Sequence, residues 1–417
     1  MNAISLSKLA WRNLWRQKRR TLLTLVSIVF GGCLAIMMTS LQDQVWADFI
    51  DSAARLGAGH VTIQHPEYRD MPTLTRTVRG TDLLHEVAME NDDVVRVVDR
   101  TSGSVLLSTA SDSFGGFFIA FDPTQETPET MDWMEDLVAG GPFQAGQQEG
   151  IILGQILARN LSAEMGDKVV YTLTDRTGQI VSGMERVSGI IATGAESTDG
   201  ALVLLPIGTI RDRVGFAPDE STQVAIFLED GRNSARVADE LKALVGDEVA
   251  VLTWDELQPE IKTFIAMKVG GGRVMILIVG TLVGAGIFNT LFMSVLERTR
   301  EFGIMLAIGY TPGQLFALVM LESAYLAGMG LVGTAAIAAY PYHVLSRTGI
   351  DLSSQMEASG GTMDVGGVGI STVMPIGIYP ESVLAIAVLI VLATLSAGIY
   401  PAWKAGRVSP VESINLV

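Results

Sequence analysis

Glu297, Arg298, Arg300 and Glu301 put four charges into five residues, between two long apolar stretches. Side chains of these types at this spacing do recognition chemistry: a guanidinium forks onto carboxylates, and Glu297 and Glu301 lie one helical turn apart. Glu322 is the single charge of the apolar stretch that follows. An acid so placed serves either as a proton relay or as a hydrogen-bonding partner for an arginine. The four histidines are His60, His65, His85 and His343. His60 and His65 sit five apart on an expected strand, so their side chains point to opposite faces and do not converge on a metal. No H-E-x-x-H, C-x-x-C or G-x-S-x-G pattern occurs, nor a G-x-x-x-x-G-K-[ST] loop for nucleotide phosphates. The expectation is a chain with no catalytic residues, no metal site and no cofactor of its own.

The elements that hold these residues are membrane spans. Hydrophobic residues make up 48% of the 417, and the mean hydropathy is +0.37. Crossing the hydrocarbon takes about 20 apolar residues in a helix. The runs from Thr21 to Gln42, Val274 to Leu296 and Ser382 to Trp403 carry no charge, and the run near 313–340 carries only Glu322. Four spans follow. Ahead of the first lie Lys8, Arg12, Arg16, Lys18, Arg19 and Arg20 with no acid, which marks that end as cytoplasmic. The stretch 297–312 and the tail with Lys404 and Arg407 then share that side. "FGGC" (30–33) brushes against a lipoprotein cleavage box, but the apolar run continues through "LAIMMTSL". The segment is therefore expected to stay as an anchor, with Cys33, the one cysteine, as a small packing residue.

Net charge is −16, and residues 43–268 hold 37 Asp and Glu against 17 Lys and Arg. That region is expected to be a folded acidic domain outside the membrane, unsuited to nucleic acid or to anionic headgroups. "GHVTIQ" (59–64), "VVRVVDR" (94–100), "SVLLST" (104–109) and "GGFFIAF" (115–121) read as strands. "NSARVADELKALVG" (233–246) reads as a helix ended by Gly246, and "EVAVLTW" (248–254) as a strand. The fold class expected is a multi-pass α-helical membrane protein: four transmembrane helices plus a large α+β extracytoplasmic domain with an inserted β-rich subdomain.

Past the second span, Phe302, Met305, Leu306 and Gly309 fall along one side of a short helix, with Pro312 placed to end it or to begin the next span. "ERTREFGIMLAIGYTPGQLFALVMLES" resembles the signature of FtsX-like ABC-transporter permeases, E-R-x-x-E-[IF]-G-[IV]-x-x-A-[IL]-G after a span. "AWRNLWRQKRRTLLTLVSI" is similar to that family's basic N-terminal helix, and "YPAWKAGRVSPVESI" to its terminal P-A-x-x-A-x-R-x-x-P-x-E-x-[IL]. "LGQILARNLSAEMGDKVVYTL" is similar to its G-x-x-L-A-x-x-L…x-x-G-D-x-V. The likeness thus covers the chain in order.

The resemblance implies a coupling helix docked on a separate cytoplasmic ATPase dimer, which would carry ATP and Mg. Glu297, Arg298, Arg300, Glu301, Gly303, Gly309 and Pro312 would make that contact, the arginines by forked pairing and the glycines by close approach. ATP-driven closure would then move the outer domain, as a lever rather than a pore. The family commonly has an acid at Glu322, which favours structural pairing there over proton relay. Gly280 and Gly284 form a G-x-x-x-G that permits packing within one subunit or, slightly favoured, against a second permease copy. Ile4, Trp11, Leu14 and Trp15 form a stripe suited to a helix lying at the inner membrane face, with Lys8, Arg12, Arg16 and Arg19 beside it.

The expected layout is a basic helix (1–20), spans at 21–42, 274–296, 313–340 and 381–403, and an outer domain at 43–268. A coupling helix (297–312), an outer loop (341–380) and a cytoplasmic tail (404–417) complete it. The expected work is release or export of lipoproteins or other amphiphiles at an inner membrane, with a periplasmic carrier or adaptor. Control of a cell-wall hydrolase, or peptide and small-molecule efflux, are the alternatives.

Overall fold

The computed structural model describes residues 3–134, 136–351, 353–354, 364–365, 368–369 and 373–408. Residues 409–414 of the terminal motif, much of the 341–380 loop and most of the tail lie outside them. The chain divides into two compact units: Met1–Val45 with Met267–Asp351 and Val373–Val417, and Trp46–Ala266 with Leu352–Thr372.

In the first unit, α1 (Ala3–Arg16) leads into α2 (Lys18–Ala53). Three further long helices are α3 (Pro259–Glu297), α5 (Pro312–Thr348) and α6 (Pro380–Gly406), with the short α4 (Thr299–Ala307) between α3 and α5. α2, α3, α5 and α6 are long and apolar enough to cross a membrane. Each is longer than its uncharged run, because backbone hydrogen bonding continues where the hydrocarbon requirement ends. Leu22, Leu23, Val26 and Phe30 of α2 are exposed in a row, as lipid-facing side chains are. Small residues let the helices approach closely. A Cβ on Gly330 of α5 would stand 2.5 Å or less from α2, at 2.4 Å from Ile28 Cγ2, and one on Gly398 of α6 would lie 2.4 Å from Ser323 Oγ.

The second unit is built on a ten-stranded mixed sheet. Its strands are β1 (Val61–Gln64), β2 (Val94–Ser108), β3 (Ser113–Phe121), β4 (Leu137–Gly140), β5 (Ile151–Gly154), β6 (Lys168–Thr174), β7 (Ile180–Ile191), β8 (Leu202–Pro206), β9 (Gln223–Leu228) and β10 (Ala250–Thr253). The order is β10-β1-β9-β2-β3-β8-β5-β7-β4, with β6 pairing β2 and β7. β3–β8 and β5–β7 are parallel. Two cores flank this sheet. Helices Thr81–Met89 and Ser234–Val245 lay Leu84, Ala88, Val237 and Leu241 against Val61, Ile63, Val224 and Ile226. The inserted residues build the other core, from Leu107 and Phe118 to Tyr171 and Leu205. In β6 the burial alternates, Val169, Tyr171 and Leu173 facing in.

The insertion therefore shares its sheet with the parent half, through β2. The two strands expected at 94–100 and 104–109 are one, because Thr101–Gly103 keep their ladder to Phe118–Ala120. Deep in this unit, Arg100 and Glu126 form an ion pair with neither side chain exposed. Arg100 Nε and Nη2 donate to the two carboxylate oxygens at 2.7 and 3.0 Å.

Candidate functional site

α4 and its flanks form the site. α3 stops at Glu297, and Arg298, at φ −100° and ψ 12°, breaks the helix before α4 begins at Thr299. At the other end Gly309 adopts φ +100°. Gly309 N–H donates to Leu306 O and Tyr310 N–H to Met305 O, which closes a Schellman turn over the last carbonyls. Gly309 thus ends the helix; its role is left-handed backbone, and no neighbour lies within 4 Å of where a Cβ would stand. Thr311 then caps α5 through a reciprocal box with Gln314, and Pro312 takes the first turn, where its missing N–H costs nothing. A nine-residue helix so sharply bounded at both ends is held as a discrete element.

Phe302 anchors it. The ring is fully buried with Leu6 and Ala10 of α1, Val295, Leu315, Leu318 and Val319, and Ala402 and Ala405. Gly303 is buried beside it.

The charges divide in a way their spacing does not reveal. Arg298 is 8% exposed and turns inward, Nη1 donating to both carboxylate oxygens of Glu322 at 3.0 and 3.1 Å. Asn13 Nδ2 of α1 donates to the same carboxylate at 2.9 Å, and the guanidinium lies over the Phe302 ring. Arg298 Nε also reaches Glu301 at 3.3 Å, while Nη2 is buried without a hydrogen-bond partner. Glu301 is held in turn by Arg16 at 2.6 Å. Glu297 accepts a forked pair from Arg20 at 2.8 and 2.6 Å, with Gln17 Nε2 at 3.3 Å. Arg298, expected to reach outward as a docking charge beside Arg300, is corrected here: its guanidinium is committed inside the chain, because Glu322 would otherwise be buried without a counter-charge. The same contact gives Glu322 the arginine partner favoured for it over proton relay.

Arg300 stays exposed and makes no ion pair among the described residues. Four and eight residues on, Ile304 and Ile308 are 46% and 71% exposed. The three make one outward stripe, a cation followed by two apolar side chains at helical spacing. Sequence reasoning missed both isoleucines, and also Asn13, Gln17 and Arg20 as partners of the charged run.

α1 packs along α5 with Leu6, Ala10 and Leu14 buried, while Trp11 and Trp15 remain exposed. Trp11 meets Tyr325 edge to face. The side chain of Ile4, placed on the same stripe, lies outside the described residues. On α3, Gly280 touches only Leu389, 3.8 Å from a built Cβ, and Gly284 has nothing within 4 Å. Gly280 also lines an apolar cavity with Ile28 and Gly31 of α2 and Leu389 of α6, so that end of the motif faces the helices of its own chain, while Gly284 lies beside exposed Thr281 and Ala285.

In the other unit the histidines serve the fold. His60 Nδ1 accepts from Leu228 N–H while Nε2 lies 2.8 Å from Asp51, and His85 pairs with Asp99. Among the described residues no group of three or more His, Cys, Asp or Glu could hold a metal ion.

Residues 21–244 match the model of the MacB-like periplasmic core domain, and residues 273–410 that of the FtsX-like permease C-terminal region. An uncharacterized ABC transporter permease of Methanocaldococcus jannaschii is 22% identical, over 97% of this chain and 96% of its own length. The pyoverdine export ATP-binding/permease protein of Pseudomonas fluorescens is 24% identical over 97% of this chain. The macrolide export ATP-binding/permease protein of Nitrobacter winogradskyi is 21% identical over 95%. The chain spans 58% of the length of each of these two export proteins.

Proposed function

The chain belongs to the FtsX-like permeases with a MacB-like periplasmic core domain, and from that premise we propose that it is a membrane subunit worked by ATP hydrolysis on a partner. α4 is its coupling helix. The observation that carries this is the outward stripe of Arg300, Ile304 and Ile308, left exposed while Glu301 and Arg298 are bound to α1 and α5 and Glu297, at the end of α3, is bound to Arg20 of α2. A stripe of this kind fits a groove with an apolar floor and an acidic rim on the ATPase subunit. The neighbouring ion pairs then have a second task. They tie α4 to α1 and α5, so that a push on the stripe moves the bundle instead of peeling one short helix away.

In this scheme the termini and α4 face the cytoplasm, where six basic residues precede the apolar run that begins at Thr21, and the acidic unit faces outward. ATP and Mg sit on the partner. Motion passes to the large unit as a lever, and the permease works with a second copy that packs on α3 at Gly284, Gly280 being turned to α2 and α6 of its own chain. For cargo, the names of the relatives favour export of small amphiphiles such as macrolides and pyoverdines over lipoprotein release, which keeps second place. A periplasmic adaptor or carrier would receive it.

The test is ATP turnover by the purified full chain. None is expected from the chain alone, and vanadate-sensitive turnover is expected when the cognate subunit is co-expressed. Turnover that persists in the chain with every co-purifying protein removed would overturn the division of labour.

A further inference from the structure

α3 carries an amide where hydrocarbon offers it nothing. Asn289 lies eight residues before Glu297, about 12 Å along the helix, and the uncharged run reaches back past it to Val274. With a hydrocarbon core of about 30 Å, the side chain stands well inside it. Asn289 is exposed and makes no side-chain hydrogen bond among the described residues. Neighbouring hydroxyls solve the same problem within their own helix. Thr281 Oγ1 donates to the Leu277 carbonyl at 2.7 Å, Thr290 Oγ1 to that of Gly286 at 2.9 Å, and Thr394 Oγ1 to that of Ile390 at 2.7 Å. An asparagine amide brings both donors and an acceptor, and lipid tails meet none of them. Leaving them unmade is costly, so an exposed amide at this depth marks a face that a polar group covers.

The surroundings of the amide suit another helix. Thr281, Ala285 and Asn289 follow at four-residue spacing, all exposed, with Gly286 exposed beside them and Gly284 bordering them. A Cβ built on Gly284 or Gly286 meets nothing within 4 Å, so nothing in this chain comes close there. Short side chains let a neighbouring backbone approach to within reach of the amide. The run from Val274 to Leu296 carries no charge, so two copies meet on it without like-charge repulsion.

We propose that Asn289 is the polar contact of an α3–α3 interface between two copies of this chain, with Thr281 and Ala285 packed beside it. Asparagine holds donor and acceptor in one group and so complements itself. Across a twofold axis each Nδ2–H donates to the other copy's Oδ1. The partner is thereby a second copy of this chain rather than a different permease. A single asparagine paired in this way also fixes the register of the two helices. The inference rests on the reading that the permease works with a second copy on α3, and it names that partner and its contact.

The experiment uses the full chain with Cys33→Ala, which removes its one cysteine, in membranes without ATP. Single cysteines are returned as Asn289→Cys, Ala285→Cys, Gly284→Cys and, at a 72% exposed position on α5, Val332→Cys. Oxidation should give disulfide-linked dimers from Asn289→Cys and Ala285→Cys, and none from Val332→Cys. In liposomes, Asn289→Leu should weaken self-association by about tenfold, as loss of an interhelical hydrogen-bonded pair does. Asn289→Gln keeps donor and acceptor and should retain most of it. The position is exposed, so each variant should fold as the wild type does. Self-association unchanged in Asn289→Leu, or a dimer linked from Gly284→Cys and not from Asn289→Cys, would overturn the contact while leaving the second copy in place. A wild-type chain that stays monomeric at every lipid dilution would overturn the second copy itself.

Discussion

Two buried arginine–glutamate pairs sit in the two units of this chain, and they are built differently. Arg100 and Glu126 meet two nitrogens to two oxygens, with neither side chain exposed. Thr130 closes around them, its hydroxyl donating to Glu126 while its carbonyl accepts from Arg100. Arg298 gives Glu322 a single nitrogen, shared between both oxygens, and spends its Nε on a half-exposed acid. From Glu301 the connection runs on to Arg16, which is largely in solvent. The first pair is enclosed on all sides in the large unit, although Arg100 Nη1, like Arg298 Nη2, has no partner among the described residues. The second is one part of a set of contacts that ties the start of α4 to α1 and α5. A buried pair is weak evidence for stability by itself, but removing one partner is expensive in proportion to how completely the other is enclosed. Enclosure is where the two pairs differ.

That difference can be broken by substitution. Glu126→Ala strands a fully buried guanidinium and should cost the large unit about 3–5 kcal/mol. Hydrogen exchange along Val94–Ser108, measured by mass spectrometry on the full chain, should rise by orders of magnitude. Glu322→Ala should cost less, about 1–3 kcal/mol, since Arg298 keeps Glu301 and can relax toward the surface. Equal losses in the two variants would erase the distinction between them.

A third, smaller effect sharpens the comparison within the large unit. Glu220 is 1% exposed, and burial by itself would raise its carboxyl. Thr77 Oγ1, the Ala217 N–H, Arg176 and Arg79 outweigh that and hold it below its ordinary range. A depressed carboxyl stabilises fully above its unfolded value, about 4.3. That contribution is lost as pH falls through the lower folded value. Thermal unfolding of the large unit should therefore drop in acid, and Glu220→Gln should flatten that part of the profile. An unchanged profile would count against the assignment. Smallest of all, Glu301→Gln weakens the half-exposed pairs to Arg16 and Arg298 while leaving Arg298 its bond to Glu322, and should shift stability by about 1 kcal/mol, as differential scanning would record.

Much of the membrane unit was legible because hydrocarbon imposes a simple demand. An uncharged run such as Val274 to Leu296 has few other uses, and Pro312 announces a helix end or start by local backbone chemistry alone, while Gly309, expected on the side of the short helix, ends it instead. The partners of the charged run were not legible. Glu297 at the end of α3 and Arg20 in α2 are 277 residues apart, and Asn13 in α1 and Glu322 in α5 are 309 apart, so only the packing of the helices brings them together. Ile304 and Ile308 were hidden for another reason: beside a membrane, an apolar side chain gives no hint whether lipid, core or a partner covers it. In the large unit the strands at 94–100 and 104–109 looked separate because Ser102 and Gly103 have low strand propensity, which pairing to β3 overrides.

The central claim is that the outward stripe of α4, and not the charged run as a whole, binds the ATPase subunit. The direct measurement is the amount of that subunit co-purifying with the tagged full chain carrying Ile304→Asp and Ile308→Asp. Both positions are exposed, so the fold should be unchanged, while loss of two apolar anchors should cost about 2 kcal/mol or more, roughly thirtyfold in affinity. The account predicts that the subunit is lost from the double variant while the chain still assembles in the membrane. Retention of the subunit at the wild-type level by that folded variant would contradict it.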